Sequence, residues 1–223
     1  MVAEAQAGTP LNDHVQYFIS QGIDILQRPS TVSFLPASRR ERDPEDKTAL
    51  VSRDRMFRNL LNTERAIPRL IGLHENPFRD INPTSTSARF PDLPFIVNSI
   101  TLVLEVREDL HGFNATVNGG AICAIIDEAM GSILTQNDVL NREAKVKGYI
   151  PTSIPNIAAA ATASMDVKYL KPVPTPSVVL ATATLTRLGR RSISMRVVVA
   201  NKDGREYARA DGSFVSFPTK AKI

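Results

Sequence analysis

"TVNGGAICAIIDEAMG", residues 116–131, is the stretch on which the reading of this chain turns. Two adjacent glycines, Gly119 and Gly120, stand in front of an apolar run that carries one acidic pair, Asp127-Glu128. Ala121, Ile122, Ala124, Ile125, Ile126, Ala129, Met130, Ile133 and Leu134 fall on nearly every side of a helix, which predicts burial on most faces. A carboxylate inside such a helix is costly unless it has a partner or a task. Asp127 is therefore read as functional. Glu128 points about 100° away on the helix and is read as a salt-bridged or solvent-facing residue.

The glycines suggest the task. A helix start has unpaired N–H groups and a partial positive charge, and glycine lets a ligand approach them closely. A carbonyl oxygen placed there would be polarised, and a carboxylate could act on its carbon as nucleophile or as general base on water. Gly119 and Asp127 are eight residues apart, about 12 Å along one helix. One reacting group cannot touch both. Two copies of the helix packed antiparallel would set the glycine end of each beside the aspartate of the other, so the spacing points to a two-fold dimer with composite sites. It also permits Asp127 to work with another element of its own chain.

Outward from the helix the texture divides the chain in two. Residues 1–95 read as a helical and irregular extension, with helical spacing over 10–27 and 44–63 and a Pro-, Ser- and Thr-rich linker over 74–94. Residues 96–223 read as one α+β domain. "IVNSITLVLEVRE" before the glycines alternates and is β-branched, so it is a strand. A broken stretch is expected over 136–160, with Pro151 and Pro155. Four strand-like segments follow, "ATASMDVKYLK", "SVVLATATLTRL", "SISMRVVVAN" and "REYARADGSFVSF", the last three joined by "RLGRR" and "NKDGR" turns. The expected architecture is a long helix wrapped by a curved antiparallel sheet.

Composition removes several classes of function. The chain has 223 residues, 43% of them hydrophobic, enough for a core, and a net charge of +4 that is too mild and scattered for nucleic-acid binding. No run approaches 18 apolar residues, so no membrane span is expected. The single cysteine, Cys123, excludes an internal disulfide and suits a reducing compartment, and no basic leader opens the chain, so a cytoplasmic protein is expected. Cys123 has no base beside it to form a thiolate and is read as a small core residue.

"VNGGAICAIIDEAMG" resembles the "HGG…D" helix motif of hotdog-fold thioesterases of the phenylacetate-pathway type, and "TASMDVKYLKPVPTPSVVLATATLTRLGRR" looks like their second signature. "MFRNLLNTERAIPRLIGLHENP" is similar to the extension of the fungal branch, which suggests secondary metabolism. The resemblance covers roughly residues 55–218, most specifically 96–217. It implies a hotdog fold and hydrolysis of an acyl thioester, carried by CoA or by an acyl carrier protein, in a homodimer or dimer of dimers, with neither cofactor nor metal. Carried over by position, Asp127 is the nucleophile or base and Gly119 supplies the N–H that polarises the thioester carbonyl, with Gly120 beside it. Thr162 matches a threonine that helps place the attacking water in one branch; its alternative is an ordinary strand residue. Asn118 stands where the family usually has His, and Asn tolerates the strained turn expected there.

His111 and Asn114 lie in the loop before the helix, where related members bring a polar side chain near the thioester. Arg190 and Arg191, in "RLGRR", are the cations best placed in the sequence to meet CoA phosphates. Two other readings stay open. One is a hotdog dehydratase or tailoring enzyme acting on a β-hydroxyacyl or polyketide thioester, with His111 and an acid of the helix; the other is a non-catalytic acyl-thioester-binding protein.

Overall fold

The computed structural model describes residues 10–38, 56–79, 95–113, 115–154, 157, 159–189 and 191–217. In chain order these form α1 (Pro10–Ser20), β1 (Thr31–Phe34), β2 (Leu70–Glu75), β3 (Ser99–Val106), β4 (His111–Phe113), β5 (Thr116–Val117), α2 (Gly119–Val146), β6 (Ala160–Tyr169), β7 (Ser177–Leu188), β8 (Ser192–Ala200) and β9 (Glu206–Ser216). Seven strands make one antiparallel sheet in the order β1-β2-β3-β7-β8-β9-β6, and β4 with β5 forms a separate hairpin. α2 crosses the inner face of the sheet, in contact with β3, β6, β7 and β8. This is the α+β hotdog arrangement that the sequence predicted. Among the described residues no helix is long and apolar enough to cross a membrane.

Period-two alternation aims Ile100, Leu102 and Leu104 of β3, Val179, Ala181 and Ala183 of β7, and Met195, Val197 and Val199 of β8 at α2, which answers with Ile122, Ile126, Ala129, Met130 and Ile133. All are buried, each Val, Leu, Ile or Met side chain contributing about 1.5–3 kcal/mol. On β9, Gly212 leaves room for the Met130 side chain of the helix. A Cβ on Gly212 would meet the Met130 sulfur at 2.8 Å.

The structure extends the sequence reading in two places. α2 does not stop near residue 135 but runs to Val146, because Gln136, Asn137, Asp138 and Asn141 are buried in spite of being polar. Asn137 uses its whole carboxamide: its oxygen accepts from the Ile96 and Val97 amides at 2.6 and 2.9 Å, and its nitrogen donates to the Val97 and Ile133 carbonyls at 3.0 and 2.9 Å. Satisfied in this way, a polar residue can sit in a core, and the apolar periodicity disappears from the sequence. Second, the extension supplies β1 and β2 to the sheet. β2 reads as a short apolar run because it is covered on both sides, and periodicity cannot separate such a strand from a helix.

α1 provides one of those covers. Leu11, Val15 and Phe18 form one stripe and pack with Ile23 on Ile71, Leu73 and Val103, on the sheet face opposite α2. The remainder of the helix expected over 44–63 falls largely outside the described residues; from 56 the chain makes a single wide turn, Met56–Leu60.

Where α1 meets the sheet, Glu105 is buried and holds the corner together. Its carboxylate pairs with Arg69 and Arg107, both at 2.7 Å, and accepts a hydrogen bond from Tyr17, over whose ring the Arg69 guanidinium lies at 4.1 Å. Burial raises the carboxyl pKa, but the two guanidinium groups and the phenol outweigh it and leave the group below its ordinary value. A lowered folded pKa contributes stability above the unfolded value and loses it as pH falls. Glu105→Gln is therefore expected to cost about 2 kcal/mol at pH 7 in urea unfolding. The gap to wild type should close as pH drops below about 4, the range of an unfolded glutamate.

Candidate active site

The helix start is built from three pieces of chain. Asn118 precedes Gly119 as N-cap, and its side-chain oxygen accepts the Gly120 N–H at 2.7 Å. Its backbone has φ −58° and ψ 140°. The strained turn expected at Asn118 is thus absent: the residue occupies an ordinary extended conformation, which a capping side chain requires. Among the described residues of the hairpin before the helix, Ala115 has positive φ, at 52°. Gly112 of that hairpin lies on the cap, and a Cβ there would meet the Asn118 Cα at 2.9 Å.

The loop after β6 is laced to the same hairpin, with the Val117 amide donating to Val173 at 2.9 Å and the Thr175 amide to Ala115 at 3.0 Å. The glycine stretch and "YLKPVP" are therefore one structural unit.

Gly119, Cys123 and Asp127 follow one another at intervals of four and form one row on α2. This row faces β6, the edge strand. At its far end Asp127 is half-buried, and its Oδ1 accepts a hydrogen bond from the Thr162 hydroxyl at 2.6 Å. At its near end the Tyr169 hydroxyl donates to the Gly119 carbonyl at 2.9 Å and lies 2.9 Å from the Cys123 sulfur. The hydrogen bond to Cys123, followed by partial burial, raises the Tyr169 pKa, so the phenol stays protonated. Cys123 is not the small core residue expected. It is half-buried, in the row between the glycine and the aspartate.

Thr162 reaches Asp127 because β6 is irregular. Tyr169, Val167 and Met165 alternate toward the helix side, and the pairing with β9 then shifts register between Thr162 and Ser164. That extra residue flips the phase of the strand. Without the bulge at Ala163, Thr162 would point to the opposite face.

The other residues predicted for the site are scattered. Gly120 lies in the first turn, but its N–H is taken by Asn118; the Gly119 N–H has no acceptor among the described residues. His111 is exposed in the hairpin, paired with Val117, and makes no contact with Asp127 or Glu128. Glu128 turns to the extension, where it accepts a hydrogen bond from the buried Ser38. Arg191 is exposed, with one guanidinium nitrogen 3.4 Å from the Ser216 carbonyl; it lies at the Thr162 end of the sheet. Asn114 and Arg190 fall outside the described residues. Among the described residues no group of three or more His, Cys, Asp or Glu side chains could hold a metal ion.

Tyr169 was not predicted. Its signal was present in "YLKPVP", but nothing in a strand pattern says that its hydroxyl reaches back to a helix start.

A helix start and a carboxylate thus share one row of α2 under the edge strand β6. Residues 114–208 match the thioesterase superfamily. This match supports thioester hydrolysis, in general, as the chemistry. Verlamelin biosynthesis protein B from Lecanicillium sp. is 27% identical over 175 residues, covering 74% of this chain and 73% of its own. Among solved structures, the PaaI protein of the E. coli phenylacetic acid degradation operon is 13% identical over 54% of this chain and 73% of its own, with a TM-score of 0.43. A hypothetical thioesterase from Streptococcus pneumoniae, solved with coenzyme A, is 14% identical over 56% of this chain and 82% of its own, with a TM-score of 0.44.

Asn118→Ala removes the cap without touching Asp127. It should lower stability by about 1 kcal/mol in urea unfolding, and Asn118→Asp or Asn118→Ser should recover most of the loss.

Proposed function

We propose that the protein hydrolyses an acyl thioester, carried by CoA or a carrier protein, at two equivalent sites between paired copies of the 96–223 domain. The observation that carries this reading is the placement of two groups under one sheet edge. Asp127 lies with Thr162 near one end of β6, and Gly119 lies with Tyr169 near the other. Antiparallel pairing of β6 with its copy, centred at Met165 and Asp166, would set Thr162 of one protomer against the partner's Tyr169. Asp127 would then approach the partner's Gly119, which bridges the 12 Å that one helix leaves open.

The edge itself supports such pairing. β6 is ten residues long with mostly exposed side chains, and no described strand pairs on its far side. Tyr169, Leu170, Val215 and Phe217, all exposed apolar or aromatic residues, flank it. Long uncovered edges are a liability that native proteins cover.

In the proposed reaction the Thr162 hydroxyl holds one Asp127 oxygen, and the other takes a proton from water. The water oxygen bonds to the thioester carbon, and the oxyanion that forms is met by the partner's Gly119 N–H. The tetrahedral adduct breaks its C–S bond, and the thiolate leaves with the proton from Asp127. Arg191, near the Thr162 end, is proposed as a cation for phosphates of the carrier. A β-hydroxyacyl dehydratase would need a histidine working with the helix acid, and His111 makes no such contact.

Two experiments test the reading. Asp127→Asn should abolish thiol release from a panel of acyl-CoAs while the fold persists by circular dichroism. Single turnover in ¹⁸O-water should leave the Asp127 side chain unlabelled if the carboxylate acts as base; label in the side chain would make it the nucleophile. Gly119→Pro deletes the N–H at a position where helices accept proline. Chains carrying Asp127→Ala and chains carrying Gly119→Pro, each inactive, should on co-refolding regain about a quarter of wild-type activity, since half the dimers hold one intact site of two. No recovery would mean that Asp127 and the Gly119 N–H do not share a site across the interface, and would overturn the composite arrangement.

A further inference from the structure

The chemistry proposed above needs one backbone N–H, aimed from the most pliable dipeptide a chain can carry. Glycine populates both halves of the φ range, so Gly119-Gly120 has no intrinsic reason to hold a direction. The structure supplies external ones. The Asn118 carbonyl accepts from Ile122 at 3.1 Å, which holds the peptide before Gly119. The peptide after Gly119 is held at both poles, its N–H by Asn118 and its carbonyl oxygen by Tyr169. Of the four polar groups on the two peptides around Gly119, three are fixed.

Resting on the thioesterase reading, we infer that Tyr169 is a positioning residue. By holding the Gly119 carbonyl, its hydroxyl fixes the direction of the one remaining group, the Gly119 N–H that meets the thioester oxygen.

The placement also explains the residue at 119. A Cβ there would come within 3.3 Å of the Tyr169 hydroxyl and 3.4 Å of the ring carbon that bears it. A larger residue there would push the phenol back by a few tenths of an ångström, so glycine lets it lie closest to the first turn. Cys123 completes the arrangement. The single phenolic proton goes to the Gly119 carbonyl, so the hydroxyl oxygen is free to accept from the thiol. A second contact then restrains the rotor, on the row that leads to Asp127.

Such a residue affects the transition state rather than substrate capture, because oxyanion contacts tighten only as the tetrahedral species forms. Tyr169→Phe keeps the ring and removes the pin. Thioester loss followed at 232 nm should show kcat reduced about tenfold with KM changed less than about twofold. Hydrogen exchange of the peptide covering residues 117–122 should become several-fold faster in the variant without substrate, with Tm within about 2 °C of wild type.

Unchanged kcat in an otherwise active protein overturns the inference and leaves the hydrolase reading standing. So does a kcat loss that comes with a matching loss of Tm, which would make Tyr169 a packing residue. A wild-type chain inert toward every acyl-CoA and carrier-protein thioester tried overturns the hydrolase reading, and the inference with it.

Discussion

One row of α2 against one strand organises the candidate site of this molecule. Gly119, Cys123 and Asp127 share a helix face, and the strand they face is the sheet's edge rather than its centre. A central strand would have sealed the row inside the core, where an ionised carboxylate is costly. The edge leaves Asp127 half-buried, close enough to receive the Thr162 hydroxyl and open enough to meet solvent. The remaining faces of the helix are free to be apolar and supply the packing that holds the row in place.

Precision at both ends of the row comes from outside the helix. The glycine pair is a poor way to begin a helix on entropic grounds. It is retained where Asn118 and Tyr169 restrain it, each through a single hydrogen bond. At the other end a shifted register in β6 delivers Thr162. Both devices act on the backbone. In neither case does the helix provide its own accuracy.

This division explains what could be read in advance. Residues whose role follows from periodicity were legible: the apolar helix from Gly119, the alternating strands from Ala160 to Ser216, and the turns between them. Thr162 was singled out through a family pattern, but its hydrogen bond to Asp127 was not foreseen. Features that depend on exceptions to periodicity were not. The second half of α2 was hidden by buried amides such as Asn137, and β2 by being covered on both faces. The bulge at Ala163 leaves no compositional trace, and Tyr169 looks like any strand aromatic. The cap at Asn118 was visible as an asparagine before two glycines, yet it was read as a strained turn because the family position is usually histidine.

The sheet order has a bearing on synthesis. β6 precedes β7, β8 and β9 in the chain, yet its neighbour in the sheet is β9. During translation, residues 160–169 therefore have no strand to join until residues 206–216 have left the ribosome. The glycine end and the aspartate of α2 stay uncovered throughout that interval. Thr162 and Tyr169 share that strand, so both reach the row through the same pairing with β9.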